Sequence, residues 1–336
     1  MTKRKALKII LLVLVTRLGF LLLREFRGFS WLSDVDGYTT YAQALFSGSL
    51  LTGWVREHIF PGFSLIIGLI HLILPGWKIA GVASVLVGDL IAFLAIGSLF
   101  SLPVALLSLF FPPAFVWSTS QIYSEGVMLG LVFGSLWLWK RQKFMLSFLF
   151  SGISILVRPI GVTLLASYLV IAVLKNDFRR AIEILVSVLS TVLALLAYNL
   201  AFFGDPLFNL RVYSPGSSGL LPFFSVWENL LRLVRDGGYR TLLSGSFYVF
   251  LTTAGLVVLW LNRKRSEFHK LVFIFALFTW VFLFSVGPNA FFEDYGRYAL
   301  FLYPLSFWGF WEAYGVSIPS WVYPILFLVT ILAKNT

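Results

Sequence analysis

The chain has 336 residues, of which 59% are hydrophobic and only 12% charged, and its mean hydropathy is +0.89. A water-soluble domain is about 45–50% apolar and about 25% charged, so a soluble globular protein is excluded and a polytopic membrane protein is expected. Cysteine is absent, which excludes disulfides, thiolate metal sites and cysteine nucleophiles. Lys and Arg (26) outnumber Asp and Glu (15), a net charge of +11 whose distribution matters more than its size.

In chain order, the first apolar run is 6–23, behind Lys3-Arg4-Lys5. It lacks a small-residue cleavage site and is too long for a signal peptide core, so it is expected to be a retained first transmembrane helix. Further apolar runs lie near 79–98, 103–118, 126–139, 144–157, 161–174, 181–203, 241–261, 270–287, 298–314 and 318–333. A spanning helix needs about 20 residues, and the total comes to about 11 transmembrane helices in an all-α polytopic bundle, a single domain over 1–336. No soluble domain is expected after the last helix. The run 60–74 begins with Pro61-Gly62 and is short. If it spanned, the basic clusters at 140–143, 175–180 and 263–270 would fall on the side opposite the N-terminus, against the positive-inside rule. It is therefore expected to be non-spanning or re-entrant. The N-terminus is then cytoplasmic, with a first outer loop over 24–78 carrying short helices and a larger outer loop at about 204–240.

This topology separates the basic residues by type. The cytoplasmic set mixes Lys and Arg, whereas the outer set is dominated by Arg, including Arg56, Arg158, Arg211, Arg232, Arg235, Arg240 and Arg297. Orientation signals do not need Arg over Lys; planar, bidentate recognition of phosphate or carboxylate does. Most carboxylates also fall outside, so polar chemistry gathers at one membrane face. Trp31, Trp54, Trp77, Trp117 and Trp227 lie near outer boundaries, where an aromatic belt accounts for most of them.

The first outer loop opens with Ser33-Asp34-Val35-Asp36-Gly37-Tyr38. Two carboxylates one residue apart can serve as a general base with a helper or as metal ligands, and equally as solvated loop carboxylates or caps of a helix at 38–45. Gly37 would allow close approach of a substrate to Asp36. Arg56-Glu57-His58 precedes Pro61, and His58 could orient a phosphate or simply be an exposed loop histidine. Glu125 stands at the start of an apolar run, where an ionised group is costly and tends to be functional or paired with an Arg. Arg158 precedes Pro159, which breaks the helix and leaves the Arg placed either to hold an anionic headgroup or to form a salt bridge. Arg297 is close to Glu293 and Asp294, which can neutralise it. With three His in all, a His-rich metal site is excluded. Arg17 and Asp89 are the charges that fall inside helix centres; Asp89 is either a contact between helices or faces a cavity.

The order of these features resembles the GT-C membrane glycosyltransferases. The similarity rests on a first helix followed by the Asp34–Tyr38 segment and a Pro-led short helix. Gln121-Ile122-Tyr123-Ser124-Glu125-Gly126 is similar to a second, acidic motif, and Ser154 to Gly161 to an Arg-Pro element. Tyr198-Asn199 with Phe203-Gly204-Asp205-Pro206 and, last, Gly296-Arg297-Tyr298 with Pro304 extend it over roughly 5–310. The resemblance leans to the mannosyltransferases that use polyprenyl- or dolichyl-phosphate sugars. It implies inverting transfer of a sugar, with mannose favoured and glucose or arabinose open, to an acceptor hydroxyl on the extracytoplasmic side. It implies an Asp general base at Asp36 or Asp34, and substrate contacts from Glu125, Arg158, Arg297, Arg56, His58 and Tyr38. A divalent cation, Mg2+ or Mn2+, held by Asp34, Asp36 and Glu125 is left open. The implied partners are the lipid-linked donor, the bilayer, and a lipid-linked glycan, lipid or protein acceptor, with no nucleic acid. The implied setting is a prokaryotic plasma membrane or the endoplasmic reticulum membrane. The rival class is a lipid or sugar transporter or flippase, which would need charges strung through helix centres, and the helix centres here are nearly free of them.

Overall fold

The structure is a computed structural model describing residues 2–26, 33–48, 60–111, 122–208, 239–285 and 299–315, with side chains described at all of these except 20–26, 33–36, 239–246 and 284–285. The described residues are helical, without strands. Twelve α-helices follow in chain order: α1 (Lys3–Phe26), α2 (Ser33–Ser47), α3 (Pro61–His71), α4 (Trp77–Leu99), α5 (Leu102–Phe110), α6 (Ser124–Lys140), α7 (Phe144–Val157), α8 (Val162–Leu174), α9 (Phe178–Phe203), α10 (Tyr239–Asn262), α11 (Glu267–Ser285) and α12 (Leu302–Tyr314). The chain divides into two compact units, one of Met1–Val162, Val186–Asn209 and Ile318–Thr336, the other of Thr163–Leu185 and Leu210–Ser317.

The first unit is built on the pairing of α4 with α6. Gly81 and Gly88 on α4 meet Ile122, Gly126 and Gly130 across the seam; a Cβ at Gly88 would come within 2.6 Å of the Gly126 carbonyl oxygen. Small residues four apart let the backbones touch, which is how apolar helices associate where lipid removes the hydrophobic drive. Helix α7 folds back on α6 through Arg141-Gln142-Lys143, with Gln142 in the left-handed region (φ 60°). Serines join that pair: Ser135 Oγ donates to the Ser147 carbonyl at 2.8 Å and lies 2.8 Å from Ser151 Oγ. Helices α1, α2, α3 and α5 pack around α4, and α3 also reaches α7. In the second unit α10 packs on α11 and α12. There Thr163 on α8 bonds to Thr279 on α11 at 3.1 Å, and Lys175 pairs with Glu267.

Apolar side chains face outward as well as filling the core, and several polar ones are enclosed. Along α1, Ile9, Val13 and Arg17 are buried while Leu7, Leu11, Val15 and Leu18 are exposed. Ser135, Ser147, Ser151 and Ser154 are fully buried, whereas Leu185, Val186, Leu189, Leu193 and Leu200 of α9 face outward. An arginine turned inward from a leucine-covered surface is the arrangement lipid imposes. Among the described helices α4 and α9 are long and apolar enough to cross a bilayer.

Two elements depart from the sequence expectation. The stretch Asp34–Asp36 was expected in a loop; it forms the first turn of α2, which begins at Ser33. A helix N-terminus favours carboxylates through its dipole and its free N–H groups, so the same residues that read as loop also read as helix start. The run 103–118 was expected as one helix, but α5 stops at Phe110. Phe111 is extended (φ −67°, ψ 128°) because Pro112 follows it, and nine residues span only about 14 Å. The short run 60–74 yields the eleven-residue α3. The expected helix at 318–333 and most of the outer loop 204–240 lie outside the described residues.

Candidate functional site

Local chemistry fixes how each polar residue enters the first unit. Helix α7 ends at Val157 because the residue before a proline avoids the helical region; Arg158 is extended (φ −154°, ψ 138°), and a short 3-10 turn, Pro159–Gly161, follows. The break swings the Arg158 side chain toward the start of α6. Its Nε donates to Ser124 Oγ at 2.8 Å and its Nη2 to Glu125 Oε1 at 2.5 Å. Ser124 and Glu125 occupy the first turn of α6, where a carboxylate meets the positive end of the helix dipole. From α2, Tyr38 brings its hydroxyl 3.3 Å from Ser124 Oγ.

Two further contacts hold α2 in place. Ser64 Oγ on α3 donates to the Tyr38 carbonyl at 3.1 Å, and the Phe63 ring packs edge-on against Tyr38 with centroids 4.9 Å apart. Gly62 lies so close to the backbone of Leu156 and Val157 that a Cβ would collide with it. The start of α3 is therefore pressed onto the end of α7, immediately before Arg158.

The cluster is recessed. Helices α4 and α6 run parallel: Gly81 lies beside Ile122, Gly88 beside Gly126 and Val127, and Trp137 Nε1 donates to Ser98 Oγ at 3.1 Å. Gly126 faces Val85 and Asp89, so Glu125 sits level with a point eight or nine residues into α4, about 12 Å beyond its first residue. Glu125 is 2% exposed and Arg158 15%, so the arginine side chain is the more accessible of the two. At the opposite end of the α6–α7 hairpin is the basic turn Lys140–Lys143, so the acidic and basic ends of these helices are separated by the hairpin's full length.

The expected site residues thus fall into three groups. Glu125, Arg158 and Tyr38 are brought together. Asp34 and Asp36 lie on the backbone of the same helix as Tyr38, one turn or less before it, and their side chains lie outside the described residues. Arg56, His58 and Arg297, with its neighbours Glu293 and Asp294, also lie outside the described residues, as do Arg211, Arg232 and Arg235. Sequence reading missed Ser124 as a bridging hydroxyl, although its place one residue before a membrane-boundary Glu was the available signal. It also left Asp89 open; the structure pairs it with Arg17, Nε to Oδ2 at 2.7 Å, both side chains buried. Among the described residues no group of three or more His, Cys, Asp or Glu side chains is poised for a metal.

With this geometry in view, the fold has a match among solved structures. A crystal structure of ArnT from Cupriavidus metallidurans bound to undecaprenyl phosphate superposes with a TM-score of 0.54 and 17% sequence identity. The fold is similar to that of ArnT. The likeness covers 98% of this chain and 62% of that one, so the chain spans less than two thirds of the length of ArnT. No family profile and no curated protein sequence matches the chain. At this identity ArnT testifies to architecture, and an integral-membrane helical bundle agrees with the outward-facing leucines of α1 and α9.

Proposed function

We propose that the chain is an integral-membrane glycosyltransferase that takes a sugar from a polyprenyl-phosphate carrier. The sugar, mannose as the leading choice, passes with inversion to an acceptor hydroxyl on the extracytoplasmic side. The observation that carries this reading is the recessed Arg158, shared between Ser124 and Glu125, with the Tyr38 hydroxyl beside Ser124 from the helix that holds Asp34 and Asp36. The ArnT-like fold, and the polyprenyl phosphate bound by ArnT, support the choice of a lipid-linked donor.

In this reading the acceptor O–H gives its proton to a carboxylate of Asp36 or Asp34 as its oxygen attacks the anomeric carbon. The bond from that carbon to the phosphate oxygen breaks, and the phosphate departs with the electron pair. Arg158 stabilises the phosphate charge through its guanidinium, a planar donor suited to phosphate. Glu125 and Ser124 fix the orientation of that fork, and Tyr38 links it to α2. Arg297, Arg56 and His58 are assigned to the same donor. Glu125 Oε1 is committed to Arg158, and no step is routed through a metal. The charges inside helix centres, Arg17 and Asp89, neutralise each other, which leaves the transporter reading without a charged pathway among the described residues.

The test uses purified protein in lipid nanodiscs with mannosyl-phosphoundecaprenol and a total membrane extract as the acceptor source. Wild-type protein should bind undecaprenyl phosphate and release it from the donor, and Arg158→Gln should weaken that binding at least tenfold. Equal binding by wild type and variant, or none by either, sinks the proposal.

A further inference from the structure

Beyond the Arg158 group, the first unit contains a second set of polar atoms for which the described residues offer no use. Tyr41, one turn after Tyr38 on α2, is fully buried, and its hydroxyl has no hydrogen-bond partner. Its ring meets that of Tyr198 on α9 edge-on, with centroids 6.5 Å apart, and the Tyr198 hydroxyl is likewise enclosed and unpartnered. The next residue, Asn199, is 1% exposed; its Nδ2 donates to the Pro206 carbonyl at 3.0 Å, while its Oδ1 accepts nothing.

Buried hydroxyls nearly always have partners, and one left without is destabilising. A sequence that needed only packing here would carry Phe, as it does nearby. Phe202 and Phe203 pack on the Tyr198 ring, at 4.9 and 5.7 Å between centroids, and Phe203 stacks on Phe208 at 4.2 Å. The choice of two tyrosines within this aromatic group therefore calls for a ligand with hydrogen-bonding groups of its own.

The chemistry limits what that ligand is. Two phenols and an amide oxygen can donate to and accept from hydroxyls, so a polyol suits the place. Aromatic walls with a few convergent polar groups are the usual lining of a small-molecule site. The position fits as well: Tyr38 and Tyr41 are neighbours on one face of α2, about 4.5 Å apart along its axis, and the Tyr38 hydroxyl touches Ser124 of the Arg158 group. A ring attached to a phosphate at Arg158 would lie along this face.

We infer that Tyr41 and Tyr198, with Asn199 beside them, form the subsite that reads the sugar hydroxyls of the lipid-linked donor. This rests on the glycosyltransferase reading, and the experiment separates the two. Binding of bare undecaprenyl phosphate, mannosyl-phosphoundecaprenol and glucosyl-phosphoundecaprenol is measured for wild type, Tyr41→Phe and Tyr198→Phe in nanodiscs, with the melting temperature of each. The expected result is that at least one sugar ester binds wild type more tightly than the bare lipid. Each Phe variant then loses at least fivefold of its affinity for that ester, binds the bare lipid as wild type does, and melts at the same or a higher temperature. Phe variants that bind every lipid like wild type overturn the subsite and leave the glycosyltransferase reading standing, as does an equal loss for bare and sugar-bearing lipid. Failure of wild type to bind any of the three lipids removes the glycosyltransferase reading, and the subsite with it.

Discussion

Arg158 and Glu125 form an ion pair at 2.5 Å in which the cation is 15% exposed and the carboxylate 2%. The asymmetry decides which partner can be lost. Removing one member of a buried pair costs about 3–5 kcal/mol, because the other is left charged without compensation. Arg158, the more exposed partner, can reorient toward solvent when Glu125 is neutralised; the enclosed Glu125 cannot. Arg158→Gln should therefore destabilise the protein more than Glu125→Gln, and the double variant should recover much of the loss. Thermal unfolding in a fixed detergent checks this, and equal shifts for the two single variants would contradict it.

Asp34 and Asp36 enter the same helix as Tyr38, within its first turn. General-base catalysis contributes about 10²–10⁴-fold to a rate, so Asn at the true base should lower transfer by at least a hundredfold. The melting temperature should barely move, since Asn is itself a good residue at a helix start. Asp36→Asn and Asp34→Asn are to be compared, with the larger loss expected at Asp36, next to Gly37. If both variants transfer sugar at the wild-type rate, the base lies elsewhere.

Much of this arrangement was legible in the chain because a bilayer imposes few solutions. The apolar runs led to helices within a few residues of the observed bounds, and Pro159 marked where α7 stops and Arg158 becomes free. Pro112 was equally visible, yet its effect was underestimated: the apolar pattern continues past it while the helix ends at Phe110. Pairings were not legible. Composition can place Arg17 and Asp89 inside helix centres, but 72 residues separate them and nothing local reveals that they bond. Ser124 escaped for a different reason, since a hydroxyl gains its role only from the Arg that reaches it from another helix.

The Arg17–Asp89 pair yields the third prediction. It joins α1 to α4, with the guanidinium also over the Phe93 ring, 5.7 Å from its centroid. A lone charge at the centre of a helix costs at least about 2.5–3.5 kcal/mol on insertion scales. Arg17→Leu and Asp89→Leu should each lower the yield of folded protein sharply, whereas Arg17→Leu with Asp89→Leu should restore most of it. Size-exclusion profiles in detergent measure this. If the double variant is worse than either single one, the pair is not acting as mutual neutralisation.

The seam between α4 and α6 supplies the last prediction, because its glycines differ in what a methyl group would meet. At Gly88 the obstacle is backbone: the Gly126 carbonyl oxygen and the Val127 Cα, each at 2.6 Å. Neither can yield without separating two helices along their length. At Gly134, on the same face of α6, the nearest atoms are side chains, Ile91 and Phe150 at 3.1 Å, which can rotate. Overpacking typically costs about 1–3 kcal/mol where the surroundings cannot adjust. Gly88→Ala should fall in that range and should also weaken undecaprenyl phosphate binding, since α6 carries Ser124 and Glu125 at the displaced end. Gly134→Ala should stay within about 0.5 kcal/mol of wild type, or gain slightly from the lost flexibility of glycine in a helix. Measuring both in the same nanodisc preparation separates close helix contact from a general intolerance of substitution. A Gly134→Ala defect as large as that of Gly88→Ala would show that the seam is not set by backbone approach.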